Sequence, residues 1–420
     1  MTLKEQFVIP KRYNAWSLGL MAVGILSIII LFIVTHGAKS DAREQARFWG
    51  SLLQNSVYFL LLTNAVMFFI CATTLSWGGW ALSFRRVSEA ISTVVPVIGV
   101  ISIIIMFILV FGSNHVIYQW ADPEKVKESQ ALQTKSPFLS KGFFVVWTLL
   151  TVALWSLIGM RVRRLTRDID NKPMTVEEGK RFTWTNTVWS ALYLFVFALT
   201  VMSTIPWLWL MSIDAHWYST MYSWYTWAST FVPGLALISL FVIYLKNQGY
   251  LELTNDEHLH DLGKFIFAFS IFWTYLWFSQ YMLIWYSNQP EETIYFINRL
   301  GSRGNPSPYK GIFFLNLIIN FVAPILILMR RGSKRNYTTM TFMCVLLIFG
   351  HWLDFFQMVF PGPMKDPVTG RTHVPFMLFD FCVGLGFIGL IMFITGKALS
   401  RSPLIIKNHP FIKESIIHHT

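Results

Sequence analysis

Continuous apolar runs of about 20 residues, divided by short polar connections, recur along the entire chain. At a rise of 1.5 Å per residue, a helix of about 20 residues crosses the hydrocarbon core of a bilayer. Because the runs do not alternate with polar positions, helices are favoured over the strands of a barrel. The pattern therefore predicts ten transmembrane helices. The expected spans are residues 15–35, 52–76, 90–112, 143–160, 185–211, 219–245, 262–287, 311–329, 339–360 and 374–395.

The composition agrees with an all-α polytopic membrane protein. Of the 420 residues, 54% are hydrophobic and only 13% are charged, which is too apolar for a soluble globule. The polar connections are too short to form a soluble domain, so residues 1–420 are expected to form a single integral membrane domain. The net charge of +12 does not indicate a nucleic-acid partner, because Lys and Arg in a membrane protein report topology and contacts with anionic lipids.

The Lys and Arg residues are divided unequally between the two sides of the predicted membrane domain. The side that holds both termini carries about twice as many of them as the other side, with the densest group in residues 161–181. The positive-inside rule therefore predicts that both termini are cytoplasmic, as an even number of spans requires.

The ninth and tenth spans carry ionisable residues at membrane depth. His351 and Asp354, in the run LLIFGHWLDFFQMVF, are three residues apart and share one helix face. Asp354 lies about six residues before the end of its span, and Asp380 lies about six residues after the start of the next span. Each carboxylate should therefore lie roughly 9 Å below the same membrane surface. The short connection predicts antiparallel neighbours whose two carboxylates meet. Since such groups are costly in a bilayer, all three are candidates for holding and passing a proton.

Further candidates lie toward the cytoplasmic side. Asp261 and Lys264 are three residues apart at the start of the seventh span, and Glu89 opens the third span. Together with the first group, they could line two polar half-paths that approach each other near the midplane. The alternative is structural, because a His–Asp hydrogen bond can simply join helices and an exposed Asp261–Lys264 pair contributes little.

Helix irregularities and close contacts are also predicted. A proline inside a span removes a helical hydrogen bond and tends to kink the helix. Small residues allow two membrane helices to approach closely. The residues concerned are Pro96, Pro206, Pro233, Pro324, Gly384, Gly386 and Gly389.

The sequence offers no ligand set for a cofactor in this chain. Cys71, Cys344 and Cys382 all lie in apolar runs and form no CxxC or CxxCH pattern, which argues against iron–sulfur, zinc and covalent haem sites. Only His351 lies well inside a span, whereas a buried b-type haem commonly needs paired histidines. No P-loop or dinucleotide fingerprint is present.

Three blocks of sequence resemble a known family. Residues 49–92, WGSLLQNSVYFLLLTNAVMFFICATTLSWGGWALSFRRVSEAIS, resemble the NrfD/polysulfide-reductase type of quinone-linked membrane subunit. The closest resemblance is to the F subunit of bacterial alternative complex III. Residues 350–363, GHWLDFFQMVFPGP, and the ending HPFIKESIIHHT are similar to that subunit as well.

The resemblance implies a subunit of a quinol:cytochrome c oxidoreductase in the bacterial inner membrane. It implies two four-helix bundles, residues 52–211 and 219–360, with one flanking helix at each end. The expected partners are a sister NrfD-like subunit, an iron–sulfur subunit, c-type cytochromes and a terminal oxidase. The haem c groups and iron–sulfur clusters would reside in those partners, and a quinone is the candidate ligand here. The roles given to His351, Asp354 and Asp380 come from the residues themselves and not from the family.

Two other functions are compatible with the sequence. Kinked helices with polar groups near the midplane are typical of secondary transporters, although no convincing inverted repeat is visible. A purely architectural anchor, whose buried polar groups only hold helices together, is the third interpretation.

Overall fold

The computed structural model describes residues 5–36, 42–112, 115–170, 173–302, 304–365, 372–375 and 377–419. Within these residues, ten helices are long and apolar enough to cross a membrane, which confirms the all-α polytopic membrane fold. The ten spans are α1 Lys11–His36, α2 Ala42–Leu75, α3 Gly79–Phe111, α4 Lys141–Asp168, α5 Val176–Asp214, α6 Met221–Asn247, α7 Asp256–Ser287, α8 Lys310–Leu328, α9 Tyr337–Val359 and α10 Leu378–Leu399.

Three of the four intramembrane prolines lie where the helix is irregular. Pro96 is the second residue of the last helical segment of α3, Val95–Phe111. Pro206 and Pro324 each follow a π-helical turn, Thr200–Thr204 in α5 and Ile318–Val322 in α8. Such turns accommodate the hydrogen bond that a proline cannot donate, and they are frequent at functional sites.

Pro233 behaves differently, because it lies inside the unbroken helix α6.

The remaining elements are short and lie outside the spans. They are the 3₁₀ turn Gln119–Ala121, the helices Pro123–Glu128, Gln130–Lys135, Pro290–Leu300, Arg331–Arg335 and Ile412–Ile416, and the strands β1 Gly301–Ser302 and β2 Asn305–Pro306. The two strands pair antiparallel as a small hairpin between α7 and α8.

The helices pack around α2 and α6, whose apolar windows are the most deeply buried of the ten. Helices α2 to α5 contact one another in a ring, and α6 to α9 form a second ring. Helices α2 and α6 join the two rings, while α1 and α10 pair along their length and cover α2. The polar interior of the second ring holds the candidate site.

Small residues allow α1 and α10 to touch backbone to backbone. A Cβ atom placed on Gly24 would lie 2.4 Å from the Cα of Gly386, and one on Gly389 would lie 2.7 Å from the carbonyl oxygen of Ser17. The close approach predicted for the glycines of the last span is therefore present for Gly386 and Gly389, which meet α1, whereas Gly384 lies against side chains of α2 and α9.

The chain after α10 crosses the ends of both rings and returns to the N-terminal segment. We call residues 404–418 the C-terminal strap. The amide of Leu404 donates to the Glu5 carbonyl at 2.8 Å, and the Asn408 amide donates to the Ile169 carbonyl at 2.8 Å. The Ser415 hydroxyl donates to the Trp80 carbonyl at 2.8 Å. Glu5 and the strap thus lie at one face, which we call the terminal face.

Candidate functional site

The carboxylate of Asp354 lies in the centre of the second ring of helices and is only 1% exposed. Four donors from three other helices surround it. Its partners are the Tyr225 hydroxyl and the Ser229 hydroxyl (2.7 Å) from α6, the Trp273 indole N–H (3.0 Å) from α7, and the Asn316 amide (2.7 Å) from α8. All four groups can donate a hydrogen bond, as an ionised carboxylate requires because it can only accept, and the two hydroxyls can also accept. Asp354 therefore connects all four helices of the ring.

His351 is linked to Asp354 through Ser229. The Ser229 hydroxyl donates to Asp354, so its oxygen accepts from Nδ1 of His351, which lies 3.1 Å away. Nδ1 consequently carries a hydrogen, and Nε2 has no hydrogen-bond partner among the described residues although it is buried. The Trp273 ring packs edge-on against the imidazole at 5.5 Å. One ring nitrogen is thus free to take up a proton.

The π-helical turn of α8 brings two asparagines to the same site. Asn320 donates to the Asn316 oxygen at 2.5 Å, and Asn316 in turn donates to Asp354. Gly350 on α9 makes room for this turn, since a Cβ at position 350 would lie 2.2 Å from Oδ1 of Asn320 and 2.4 Å from the side chain of Ile319. The two asparagines therefore share one face of α8, and that face is directed toward Asp354.

Asp380 is not part of this site, contrary to the expectation that the two carboxylates meet. It is the third residue of α10, and neither oxygen of its buried carboxylate has a hydrogen-bond partner among the described residues. Its backbone carbonyl accepts from Asn55 at 3.1 Å. None of the described hydrogen bonds of Asp354 reaches α10. Asp380 thus belongs to the contact between α10 and α2.

The predicted neighbour relation of α9 and α10 is also wrong. Helix α10 pairs with α1, and an apolar cleft of about 430 Å³ separates it from α9 along much of its length. Among the described residues, the two helices meet through side chains, with the Phe381 ring lying 5.8 Å from the rings of both Phe349 and Trp352. A short connection between two helices does not require them to pack side by side. Here α10 instead makes its longer apolar contact with α1.

Aromatic and basic side chains continue from Asp354 toward the face opposite the termini. The ring of Tyr225 lies 6.4 Å from that of Tyr222, which in turn lies 6.3 Å from Tyr295. The buried guanidinium of Arg299 stacks 3.4 Å above the Tyr295 ring and donates to the Gln357 carbonyl at 2.6 Å. Burial raises the pKa of Tyr295 to about 12, although the neighbouring Arg299 opposes this shift. The hydroxyl of Tyr295 therefore remains protonated at neutral pH.

Glu89 lies apart from Asp354, in a charged cluster at the terminal end of the first ring. Arg85 donates to it at 3.0 Å, Arg86 at 2.8 Å, and the hydroxyl of Thr166 at 2.7 Å. Arg86 also bridges to Asp170 at 2.5 Å. Burial raises the pKa of the Asp170 carboxyl, and the adjacent Arg86 opposes that shift. As a group, these contacts connect α3 with the end of α4. In this structure the Glu89 cluster therefore holds the two helices together.

Asp261 and Lys264 form the predicted pair, with 2.6 Å between the ammonium and the carboxylate. Lys264 is half exposed, whereas Asp261 is buried, and its second oxygen lies 2.8 Å from Nε2 of His418 in the C-terminal strap. The pair therefore anchors the strap as well. No described hydrogen bond connects it with His351.

Sequence reasoning found His351 and Asp354, but it missed Tyr225, Ser229 and Trp273. The spacing of four between Tyr225 and Ser229 on one apolar span was an available signal. Nothing in the sequence distinguishes Trp273 from the other tryptophans of the spans. Within the described part of the chain, no group of three or more His, Cys, Asp or Glu side chains is placed to hold a metal ion.

A scan against protein-family models finds no match, and a search among curated proteins finds none either. The family resemblance thus stays a prediction that depends on the sequence blocks alone.

Proposed function

We propose that this chain is an integral membrane subunit of a quinol:cytochrome c oxidoreductase of the alternative complex III type, and that His351, Ser229 and Asp354 handle protons within it. The observation that carries the proton role is the buried Asp354 carboxylate, held by four donors and linked to His351 through one hydroxyl. The sequence blocks described above support the assignment to a respiratory complex. In this arrangement the terminal face lies in the cytoplasm of a bacterial cell.

The arrangement of His351, Ser229 and Asp354 allows a proton to be held and its charge to be balanced. When Nε2 of His351 takes one up, the imidazole becomes a cation whose Nδ1–H still donates to Ser229. The negative charge of Asp354 is then one hydroxyl away and balances that cation in a medium of low dielectric constant. Without a functional need, a neutral side chain would join the same helices at a lower desolvation cost, since ionisable groups at this depth are expensive.

Electron transfer belongs to the partner subunits in this proposal. The sister NrfD-like subunit, the iron–sulfur subunit and the c-type cytochromes would supply clusters and haem c, and a terminal oxidase would receive the electrons. This chain would contribute the proton-holding site, contacts with lipids and a surface for a quinone. The alternatives of a secondary transporter and of a structural anchor make different predictions, which the following experiments separate.

The decisive experiment measures turnover and proton release by the purified complex in liposomes. Asp354→Asn removes the charge, and Ser229→Ala removes the link to His351. Both are expected to lower proton release per electron while haem content stays unchanged. Asp168→Asn, at an exposed position at the end of α4, is the matched control. Unchanged proton release in both variants would reject the proton role and leave the structural one.

Affinity purification of the tagged chain from native membranes tests the respiratory assignment separately. We expect c-type cytochromes to copurify and to give a haem absorption spectrum. A chain that purifies alone, without haem-bearing partners, would contradict the assignment and favour transport.

A further inference from the structure

Two adjoining cavities open at the terminal face, between the end of α2, the start of α5 and the C-terminal strap. The inner chamber is lined by Thr74, Arg85, Asn186 and His409 among others, and it has a volume of about 30 Å³. The outer cleft has a volume of about 610 Å³. They share four lining residues, which are Trp77, Thr183, Thr187 and Phe411. A molecule in the cleft can therefore extend a small group into the chamber, which holds one or two water-sized atoms.

The inner chamber is bordered by buried polar atoms without partners. Arg85 donates through Nε to Glu89 and through Nη1 to Thr74, but its Nη2 has no hydrogen-bond partner among the described residues. Asn186 has an unpartnered Oδ1, an acceptor that needs a donor such as a water molecule or a head-group hydroxyl. Arg85 is 6% exposed and Asn186 3%. Leaving such groups unsatisfied is costly, so the chamber is expected to hold a polar occupant.

The electrostatics of the chamber favour an anionic occupant. The buried cluster behind it contains three arginines, Arg85, Arg86 and Arg163, but only two carboxylates, Glu89 and Asp170. No acidic residue is among the described residues that line either cavity, and the Glu414 carboxylate lies behind the lining residue Gly79. A buried excess of positive charge is costly unless an anion balances it.

His409 adds a neutral donor to the lining of the chamber. Burial is the main cause that lowers the pKa of His409 to about 3. The neighbouring Arg85 also lowers this pKa, and its effect is larger than the opposite effect of Glu89. The backbone N–H of Phe411 donates to Nδ1 at 3.2 Å, so the hydrogen of the neutral ring is on Nε2. Both nitrogen groups at the chamber, from Arg85 and from His409, thus suit an oxygen acceptor.

The outer cleft has the character of a membrane interface. Lys180 lines it, and Trp184, which is 72% exposed, stands at its outer edge. Exposed tryptophans are enriched at the level of lipid head groups, and basic pockets between spans on the cytoplasmic side bind anionic head groups.

We propose that this pair of cavities binds the phosphate group of an anionic membrane lipid. One phosphate oxygen enters the inner chamber beside Arg85, and the rest of the head group lies in the outer cleft beside Lys180. The shared chemistry is a phosphate oxyanion, which free phosphate also offers. The proposal does not depend on the respiratory function.

Native mass spectrometry of the full chain, with whichever subunits copurify, tests the site. The delipidated protein is titrated with phosphatidylglycerol and, separately, with zwitterionic phosphatidylcholine. Thr187→Leu narrows the passage between the cavities without touching the Arg85 contacts, and Thr185→Leu, which borders neither cavity, is its control. Lys180→Gln removes the outer cation, and the adjacent exposed Arg181→Gln is its control.

We expect phosphatidylglycerol to bind more tightly than phosphatidylcholine and its binding to be lost in Thr187→Leu. In Lys180→Gln the affinity for phosphatidylglycerol should fall by about fivefold, which corresponds to the loss of about 1 kcal/mol for one basic side chain. Both controls should match the unmodified chain. Competition by millimolar inorganic phosphate would support the oxyanion site and identify its source as soluble. Equal binding in all five proteins, or no preference for the anionic lipid, would overturn the proposal. If Thr187→Leu does not fold, the comparison of phosphatidylglycerol binding between Lys180→Gln and Arg181→Gln decides the test.

Discussion

Asn55 on α2 accepts the indole N–H of Trp352 on α9 at 2.8 Å, and its amide donates to the Asp380 carbonyl at 3.1 Å. The Trp352 side of α9 therefore faces α2 and α10. Asp354 is two residues further along, about 200° around the helix, and faces α6, α7 and α8. The two buried carboxylates consequently occupy separate sites, and variants of each can be interpreted independently.

We predict that Glu89→Gln destabilises the protein by about 3 to 5 kcal/mol, because it removes the carboxylate shared by Arg85 and Arg86 and leaves their charges buried. Thermal unfolding can be followed with a thiol-reactive maleimide dye, since Cys71 and Cys344 are buried and react only after unfolding.

The control is Glu124→Gln, which breaks an exposed pair with Lys127 at 3.2 Å and should leave the unfolding temperature unchanged. Equal unfolding temperatures for the Glu89 and Glu124 variants would show that the buried cluster contributes no more than a surface pair.

Gly350→Ala is expected to force α8 away from α9. The added Cβ would meet the Asn320 amide and the side chain of Ile319, both inside normal contact distance, at an expected cost of about 1 to 3 kcal/mol. Gly311→Ala, at the start of α8, introduces a Cβ with nothing within 4 Å and should be neutral. The unfolding temperatures of the two variants provide the comparison. Similar values would mean that the π-helical turn yields to the methyl group without cost.

The pairing of α1 with α10 should fail when its glycine contact is filled. Gly386→Ala places a Cβ 2.8 Å from the Cα of Gly24, and backbone atoms cannot move aside as a flexible side chain can. We expect the loss to be about 1 to 3 kcal/mol in thermal unfolding, against no loss for Gly19→Ala on α1, whose Cβ meets nothing within 4 Å. Limited proteolysis of α1 would report the separation directly, and an unaltered digestion pattern would speak against it.

The attachment of the C-terminal strap is predicted to weaken in acid. The pKa of His409 is about 3 in the folded protein, well below its ordinary value near 6.5. The contribution of neutral His409 to the stability of the attached strap is therefore complete above pH 6.5. It is lost progressively as the pH falls toward 3. At pH 5 the loss is about 2 kcal/mol.

Hydrogen exchange of residues 404–418 at pH 7 and pH 5, corrected for the intrinsic rate, measures this effect. His409→Gln should reduce the additional opening at pH 5, and His419→Gln, at an exposed position, should retain all of it. Identical pH dependence in the two variants would assign the opening to another group.

The apolar runs predicted all ten spans because each span must satisfy its backbone internally and bury about 20 apolar residues in lipid. Their ends were predicted less well. Helix α2 begins at Ala42, ten residues before the expected start at 52, since a helix can continue beyond the membrane with polar residues such as Arg43 and Glu44. Hydropathy marks the membrane and not the end of the helix.

The faces of the spans could not be predicted, for a physical reason. Lipid tails are as apolar as a protein interior, so a membrane helix has no polar side that indicates its orientation. Trp273 is fully buried and donates to Asp354, whereas Tyr275, two residues along, is 60% exposed. His351 and Asp354 were identifiable because ionisable residues are rare at that depth, but their partners carry ordinary aromatic and hydroxyl side chains.

The C-terminal strap follows α10 in the chain, so the ribosome releases it only after the last span has been made. Its contacts with Glu5, Ile169, Trp80 and Asp261 then join the earliest part of the chain to both rings of helices. Completion of the terminal face is therefore a late event of biogenesis, and a subunit that docks on this face would recognise only a chain that has been synthesised through the strap.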